Sequence, residues 1–218
     1  MLSDNRHSRQ AFASGFASSL EAEPFLSATD ACRRADYVWN QAFIPSPAQV
    51  ERGLTDQYTL VRSGFSRITT YRPTLTQIER GLTDPEGCVR CGFAWRMDYQ
   101  MSLLQIVRAL EDPEWYVREA LLSRPEVALS PDIICNALAD PRPEIRARIA
   151  SRLDWEPTTA QAQNGLNDTS DLVRLIWRTR SSGQPSPRFS YSPWNRLPQA
   201  NRCLLAQNQS AAKQPHPV

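Results

Sequence analysis

The chain is organised around an Asp and an Arg, six residues apart, that recur together at a constant interval. Each series has five members, and consecutive members are 28 residues apart without insertion or deletion. The aspartates are Asp56, Asp84, Asp112, Asp140 and Asp168, and the arginines are Arg62, Arg90, Arg118, Arg146 and Arg174. A fixed interval of this length indicates stacked repeats, in which each unit buries its apolar face against its neighbours.

Each repeat opens with a signal for a helix N-terminus. One register holds a Ser or Thr, which is a favourable N-cap, and Gln follows three residues later in four of the five copies. The N-cap candidates are Ser46, Thr74, Ser102, Ser130 and Thr158. The pattern predicts a short first helix, for example from Leu75 to about Leu82, with Ile78 and Leu82 on one face.

The aspartate follows the first helix, and we expect it to be the N-cap of a second helix. Three copies then have Pro, which we expect at the first helical position, where a missing N–H is tolerated. These prolines are Pro85, Pro113 and Pro141. The second helix is expected to bury two apolar columns, which are Val61, Val89, Val117, Ile145 and Val173, and four residues later Phe65, Phe93, Leu121, Ile149 and Trp177.

These signals predict an all-α fold of about five two-helix repeats, which we assign to residues 25–180. Residues 25–43 are a degenerate N-terminal cap, because Arg34 keeps the arginine register while Ala28 replaces the aspartate. We expect residues 1–24 to be loosely structured. Residues 181–218 are rich in Pro, Gln and Ser and are predicted to be a flexible basic tail.

The recurring motif resembles two known repeat families. Each copy has Leu-x-Asp followed by Val-Arg or Ile-Arg, as at residues 54–56, 82–84, 110–112, 138–140 and 166–168. Over residues 45–180 this is similar to the HEAT repeat and to the bacterial leucine-rich repeat variant. The resemblance implies a right-handed α-solenoid that serves as an interaction scaffold, with the Asp and Arg columns forming a structural ladder. The 28-residue unit is intermediate in length between the two families, so their curvature is not carried over.

Charge and apolar content restrict the class of protein. Residues 51–180 contain 17 Arg and 18 Asp or Glu, whereas residues 181–218 contain three Arg, one Lys and no acid. A nucleic-acid-binding domain usually carries a basic excess, so the balance argues against that role for the repeats. The sequence shows no membrane span and no signal peptide, and its five irregularly spaced cysteines favour free thiols. We therefore expect a cytoplasmic protein.

A few aromatic residues break their columns and are the candidate partner contacts. Trp95 stands where other repeats have Arg67 or a small polar residue, and Trp115 stands where they have Thr, Gly, Pro or Asp. We expect Trp95, Trp115, Tyr116 and Arg67 to contact a partner protein, since exposed large aromatics often anchor interfaces. The alternative is that the aromatic residues fill local gaps in the stack.

Two further arginine columns suggest a different partner. One lies on the first helices and the other ends the second helices, where it is favoured by the helix dipole. Either stripe could contact phosphate, as in the HEAT-like DNA glycosylases that the repeat resembles. The candidate phosphate contacts are Arg52, Arg80, Arg108, Arg124 and Arg152.

The sequence offers no catalytic constellation, and we expect neither enzymatic activity nor a cofactor. Cys88 and Cys91 have the spacing of half a metal site, but Leu or Tyr fills the register of Cys88 in other repeats and no second pair follows. Only Cys32 precedes them, so the iron–sulfur module of some leucine-rich repeat variant proteins is expected to be absent. The leading hypothesis is a non-enzymatic scaffold that binds a protein through its second helices, and the alternative is a nucleic-acid-binding solenoid.

Overall fold

The computed structural model of the protein describes residues 17–40 and 42–183. These residues form twelve α-helices and no β-strand, which confirms the all-α prediction. The helices are α1 (Ser19–Leu26), α2 (Ala31–Asn40), α3 (Pro47–Leu54), α4 (Thr59–Arg67), α5 (Leu75–Leu82), α6 (Gly87–Trp95), α7 (Leu103–Leu110), α8 (Trp115–Leu122), α9 (Pro131–Leu138), α10 (Pro143–Ser151), α11 (Thr159–Leu166) and α12 (Asp171–Ser181).

The helices pack in sequence order within two compact units, and the boundary falls between Tyr99 and Gln100. In the N-terminal unit α1 pairs with α2, α3 with α4 and α5 with α6. The second helices α2, α4 and α6 lie side by side, as do the first helices α1, α3 and α5. In the C-terminal unit α7 pairs with α8, α9 with α10 and α11 with α12, and α8, α10 and α12 lie side by side. This packing of consecutive helices is compatible with an α-solenoid.

The first helices begin where the capping signals predict. At Ser46, Thr74, Ser102 and Thr158 the side-chain oxygen accepts from the backbone N–H three residues later, and the Gln at that position accepts in return. Ser130 accepts in the same way from the N–H of Ile133, which cannot return the bond. These caps satisfy N–H groups that have no partner within the helix.

The N-terminal cap begins earlier than predicted. Ser18 and Glu21 form a capping box 28 residues before that of Ser46, and helix α1 follows it. The prediction of loose structure is therefore wrong for residues 19–24, which lie in α1. The signal was present in the sequence, but with Glu in place of Gln. Residues 1–16 of that segment lie outside the described residues, as do residues 184–218 of the predicted tail.

The second helices begin three residues after the aspartate, which corrects the predicted N-cap. The N-cap residues are Tyr58, Glu86, Glu114, Arg142 and Ser170, and none of them makes a side-chain capping bond. Instead, the aspartate Oδ1 accepts from the backbone N–H two residues later, as Asp84 does from Glu86 at 2.9 Å. This is an Asx turn, so Pro85 lies in the turn and not at the first helical position.

Both predicted core columns of the second helices are buried, which confirms them. The branched column ending at Val173 and the large column ending at Trp177 are each at most 1% exposed in all five repeats. The first helices are buried less evenly. Their inward residues are buried in the N-terminal unit, as at Ile78 and Leu82, but Ile106 and Leu110 of α7 are half-buried.

A size match between the two helices of a pair was not predicted. Gly53, Gly81 and Gly165 lie directly against the rings of Phe65, Phe93 and Trp177, twelve residues later in the same pair. Where the first-helix residue is Ala, the second-helix residue is smaller, as in Ala109 with Leu121 and Ala137 with Ile149. The volume of the large second-helix side chain therefore determines whether the facing position of the first helix is Gly or Ala.

Replacing Gly81 with Ala is expected to lower stability, although Ala is the better helix former by about 1 kcal/mol. A Cβ at Gly81 would lie 2.1 Å from the ring of Phe93, which is itself fully buried. We expect Gly81→Ala to lower the free energy of unfolding by about 1 to 3 kcal/mol, measured by urea denaturation. Phe93→Leu added to Gly81→Ala should recover part of the loss, and the exposed Thr76→Ala should leave stability nearly unchanged. An increase in stability for Gly81→Ala alone would contradict the packing argument.

Candidate functional site

The recurring arginines join one helix pair to the next. Nε and Nη2 of Arg62 donate to the two carboxylate oxygens of Asp84 at 2.8 and 3.1 Å, and Nη1 donates to the backbone carbonyl of Asp56 at 2.8 Å. We call this arrangement the Asp–Arg ladder. Its other described rungs are Arg34 with Asp56, Arg118 with Asp140 and Arg146 with Asp168. In each rung the arginine side chain connects two aspartates, its own through the carbonyl group and the next through the carboxylate, except that Ala28 supplies the carbonyl to Arg34.

The ladder aspartates have internal partners for both carboxylate oxygens. Asp168 accepts from Arg146 at 2.7 and 2.8 Å, and Oδ1 also accepts from the N–H of Ser170 at 2.8 Å. The bond from Arg146 is the main reason that the pKa of Asp168 lies below its ordinary value. A carboxylate held in this way stabilises the fold and has little capacity left for a ligand.

A second set of arginines ends the second helices, and its members are buried or half-buried. We call Arg96, Arg124, Arg152 and Arg180 the terminal arginines. Arg96 and Arg124 are 1% and 0% exposed. Nη1 and Nη2 of Arg96 donate to the backbone carbonyls of Ile68 and Tyr71 at 2.5 and 2.6 Å, and its guanidinium stacks on the ring of Tyr71 at 4.6 Å. The terminal arginines therefore fill the connection between helix pairs.

Three of the four terminal arginines also pair with a carboxylate two residues later. Arg96 binds Asp98, Arg124 binds Glu126, and Arg152 binds Asp154, while Arg152 also donates to the carbonyls of Arg124 and Val127 at 3.0 and 2.9 Å. These internal bonds do not favour the predicted phosphate contacts at Arg124 and Arg152. Arg124 is fully buried, and Arg152 bonds to backbone carbonyls and to the carboxylate of Asp154.

The first-helix arginines are engaged as well. Arg52 pairs with Glu23 at 2.8 Å and Arg80 pairs with Glu51 at 2.7 Å, in each case with the preceding first helix. The bonds from Arg80 and Gln77 lower the pKa of Glu51 to about 2, so it is charged at neutral pH. Arg108 is half-buried on α7. Their carboxylate partners make Arg52 and Arg80 a poor match for a phosphate backbone.

Trp95 and Arg67 lie in one register of the N-terminal unit. Each is the last residue of its second helix, and Trp39 occupies the same register on α2. The guanidinium of Arg67 stacks on the ring of Trp39 at 4.4 Å, and burial lowers the pKa of Arg67 to about 10. Trp95 is 38% exposed. Trp39 belongs to this cluster, but the sequence reasoning missed it because α2 lies in the degenerate cap.

Trp115 and Tyr116 lie in the C-terminal unit and are only half-buried. Their rings pack edge to face with centroids 5.8 Å apart, and the guanidinium of Arg142 lies 5.7 Å from the ring of Trp115. Part of each aromatic surface is therefore already used within the unit, as expected for residues that fill gaps. The rest remains open to solvent.

A contiguous group of exposed apolar side chains lies elsewhere, on α7. Leu103, Leu104 and Val107 are 77%, 67% and 42% exposed. These residues were not predicted, because the column-breaking residues singled out from the sequence all lie on second helices and α7 is a first helix. The signal was available, since Val107 stands where Glu51 and Glu79 stand in earlier repeats.

The described residues show no arrangement typical of metal sites or membrane spans. Cys88 and Cys91 are buried, and burial raises the pKa of the Cys88 thiol. Within residues 17–40 and 42–183, no group of three or more His, Cys, Asp or Glu side chains is placed to hold a metal ion. The same residues include no helix with the length and apolar character to cross a bilayer.

Comparison of the chain with known protein families, with curated proteins and with solved structures finds no match.

Replacing Asp168 with Asn is expected to remove the charge from one rung of the ladder. Arg146 and Asp168 are 14% and 13% exposed, so we expect a loss of about 2 to 4 kcal/mol at pH 7. Because folding lowers the pKa of Asp168, its stabilising contribution is complete above its unfolded pKa and is lost as the pH falls through the folded value. The difference between wild type and variant should therefore narrow in acid.

The matched control for Asp168→Asn is Asp171→Asn, because the Asp171 side chain is 97% exposed and pairs with Arg174 within one turn of α12. Its urea midpoint at pH 7 should stay close to that of wild type. Equal losses for the two variants, or a loss at Asp168 that does not change with pH, would contradict the structural role of the rung.

Proposed function

We propose that this protein is a non-enzymatic repeat scaffold that binds another protein through its second helices in the cytoplasm. The proposed architecture is a right-handed α-solenoid of about five HEAT-like repeats with a degenerate N-terminal cap. Support comes from the 28-residue register and from the packing of each helix against its sequence neighbours. Repeat proteins of this type present extended surfaces, and the partner is chosen by residues that depart from the repeat.

The observation that carries the proposal is Trp95. Its indole ring is 38% exposed at the end of α6, in the register where Arg67 covers Trp39. Trp and Arg are enriched among the residues that dominate the binding energy of protein interfaces. Trp95 and Arg67 thus place an apolar anchor and a cation next to each other in the row of second helices. Trp115 and Tyr116 are the proposed contacts in the C-terminal unit.

A protein partner is favoured over nucleic acid by the state of the arginines. Arg52 and Arg80 are paired with glutamates, and Arg124 and Arg152 bond to carboxylates. Binding to a phosphate backbone requires several cations whose counterions are released on contact. The repeats have near-zero net charge, which also favours a partner recognised by shape and apolar contact.

The test begins with the complex of the intact protein purified from its native cell. After the bound protein is identified and produced, its affinity for wild type and variants is measured by calorimetry. We expect Trp95→Ala to weaken binding at least about tenfold, as for a hot-spot residue, and Arg67→Ala to weaken it to a smaller extent. The matched control is Leu75→Ala, because Leu75 is 82% exposed on a first helix of the same unit.

Two results would count against the proposal. Equal affinity for wild type and Trp95→Ala, with unchanged circular dichroism, would exclude Trp95 as the anchor. Retention of DNA or RNA in mobility-shift titrations, with affinity that falls steeply as salt rises, would replace the protein partner by nucleic acid.

A further inference from the structure

In the N-terminal unit, neighbouring first helices are joined by a polar link. Glu51 on α3 accepts from Gln77 Nε2 at 3.0 Å and from Arg80 Nη1 at 2.7 Å, both on α5. One repeat earlier, Glu23 accepts from Gln49 and Arg52 at 2.7 and 2.8 Å. The link therefore needs a Glu on one first helix and a Gln and an Arg, 26 and 29 residues later, on the next.

Between α7 and α9 of the C-terminal unit all three residues of this link are replaced. The equivalent positions hold Val107, Ile133 and Asn136, which cannot form an ion pair. A groove of about 350 Å³ lies between these helices, and all three residues line it. Its apolar wall includes Ile106 and Leu110, whose counterparts in the N-terminal unit are buried. Loss of the link and opening of the groove thus fall at the same place.

An apolar ridge lies beside this groove. Leu103 and Leu104 are 77% and 67% exposed, and Val107, which also lines the groove, is 42% exposed. The register of Leu104 holds Ala48, Thr76, Asp132 and Ala160 in the other repeats. Contiguous exposed apolar residues of this kind mark interaction surfaces. The ridge and the groove therefore adjoin each other along α7.

We propose that the groove is occupied by a second copy of this chain. In a two-fold symmetric dimer, α7 of each copy would insert its Leu104 ridge into the α7–α9 groove of the other. A two-fold interface brings the same surface of both copies together. A ridge and an adjoining groove can therefore pack against those of a second copy about a single symmetry axis. The dimer would bury the three exposed side chains of both α7 helices at once.

The charges of this surface allow it to meet a copy of itself. Arg108 is the single charged residue between Leu103 and Leu110, whereas the groove is bordered by the exposed carboxylates Glu111 and Asp132. Inserting α7 into the groove of another copy would therefore bring Arg108, one turn after Leu104, towards an acidic border.

The interface would be small. Each of the two helices has eight residues and is about 12 Å long, so the pair offers less than the roughly 800 Å² per partner of a standard interface. We therefore expect a dissociation constant in the micromolar range, on the order of 10 µM. The monomer and the dimer should both be populated at accessible concentrations.

The experiment is sedimentation velocity of the full chain over a concentration range of about 1 to 500 µM. We expect the mass to rise from one chain to two, and no further, as the concentration increases. Leu104→Asp should weaken dimerisation at least about tenfold. The matched control is Leu153→Asp, because Leu153 is 71% exposed and does not line the α7–α9 groove.

A second variant keeps the test decisive if Leu104→Asp fails to fold. Val107→Glu, Ile133→Gln and Asn136→Arg together rebuild the polar link of the N-terminal unit across α7 and α9. This triple variant should fill the groove, remain monomeric throughout the concentration range and keep the melting temperature of wild type.

Several results would overturn the dimer. These are a wild-type monomer at all concentrations, growth beyond two chains, or dimerisation that is unchanged in Leu104→Asp or in the folded triple variant. Dimerisation that appears only after residues 184–218 are deleted would overturn it too, because the chain's own tail would then be the occupant. Trp95→Ala should dimerise like wild type, so failure of the dimer is distinguishable from failure of the proposed protein-binding surface.

Discussion

The guanidinium groups that connect one helix pair to the next are the interaction on which both units depend. A pair of helices of eight or nine residues cannot bury a core alone, so the join between pairs decides whether they stack. Each rung of the Asp–Arg ladder couples a backbone carbonyl of one repeat to a carboxylate of the next. The desolvation of the arginine is offset because its bonds are charge-assisted and bidentate.

The terminal arginines perform a related task on the opposite end of the second helices. Arg96 reaches back to carbonyls 28 and 25 residues upstream, and Arg180 does the same to Arg152 and Trp155. Two columns of arginine thus hold neighbouring helix pairs together, and the aspartates of the ladder balance the charge of one of these columns. Trp95 and the exposed apolar residues of α7 lie outside both columns.

Local sequence signals predicted the helices well. The wrong predictions concern residues whose contacts lie in a neighbouring helix pair. The caps at Ser46 and Thr74 were predictable because a capping box lies within four residues. The N-cap role of Asp84 was mispredicted, because its carboxylate is shared between an Asx turn and Arg62, 22 residues away. The burial of Arg124 was not predicted for the same reason. The preference of cations for a helix C-terminus does not show whether the side chain faces solvent or a neighbouring helix pair. The replacement of Glu by Val107 could be interpreted only from the structure, because the structure shows that Glu51 bonds to the next first helix.

The central claim is that the recurring arginines are structural, and a double-mutant cycle on Arg62 and Asp84 tests it most directly. The free energy of unfolding would be measured for wild type, Arg62→Ala, Asp84→Ala and the double variant. Because the two side chains are 13% and 8% exposed and form two hydrogen bonds, we predict a coupling energy of at least about 1.5 kcal/mol. A coupling energy near zero, with losses that simply add, would contradict the account.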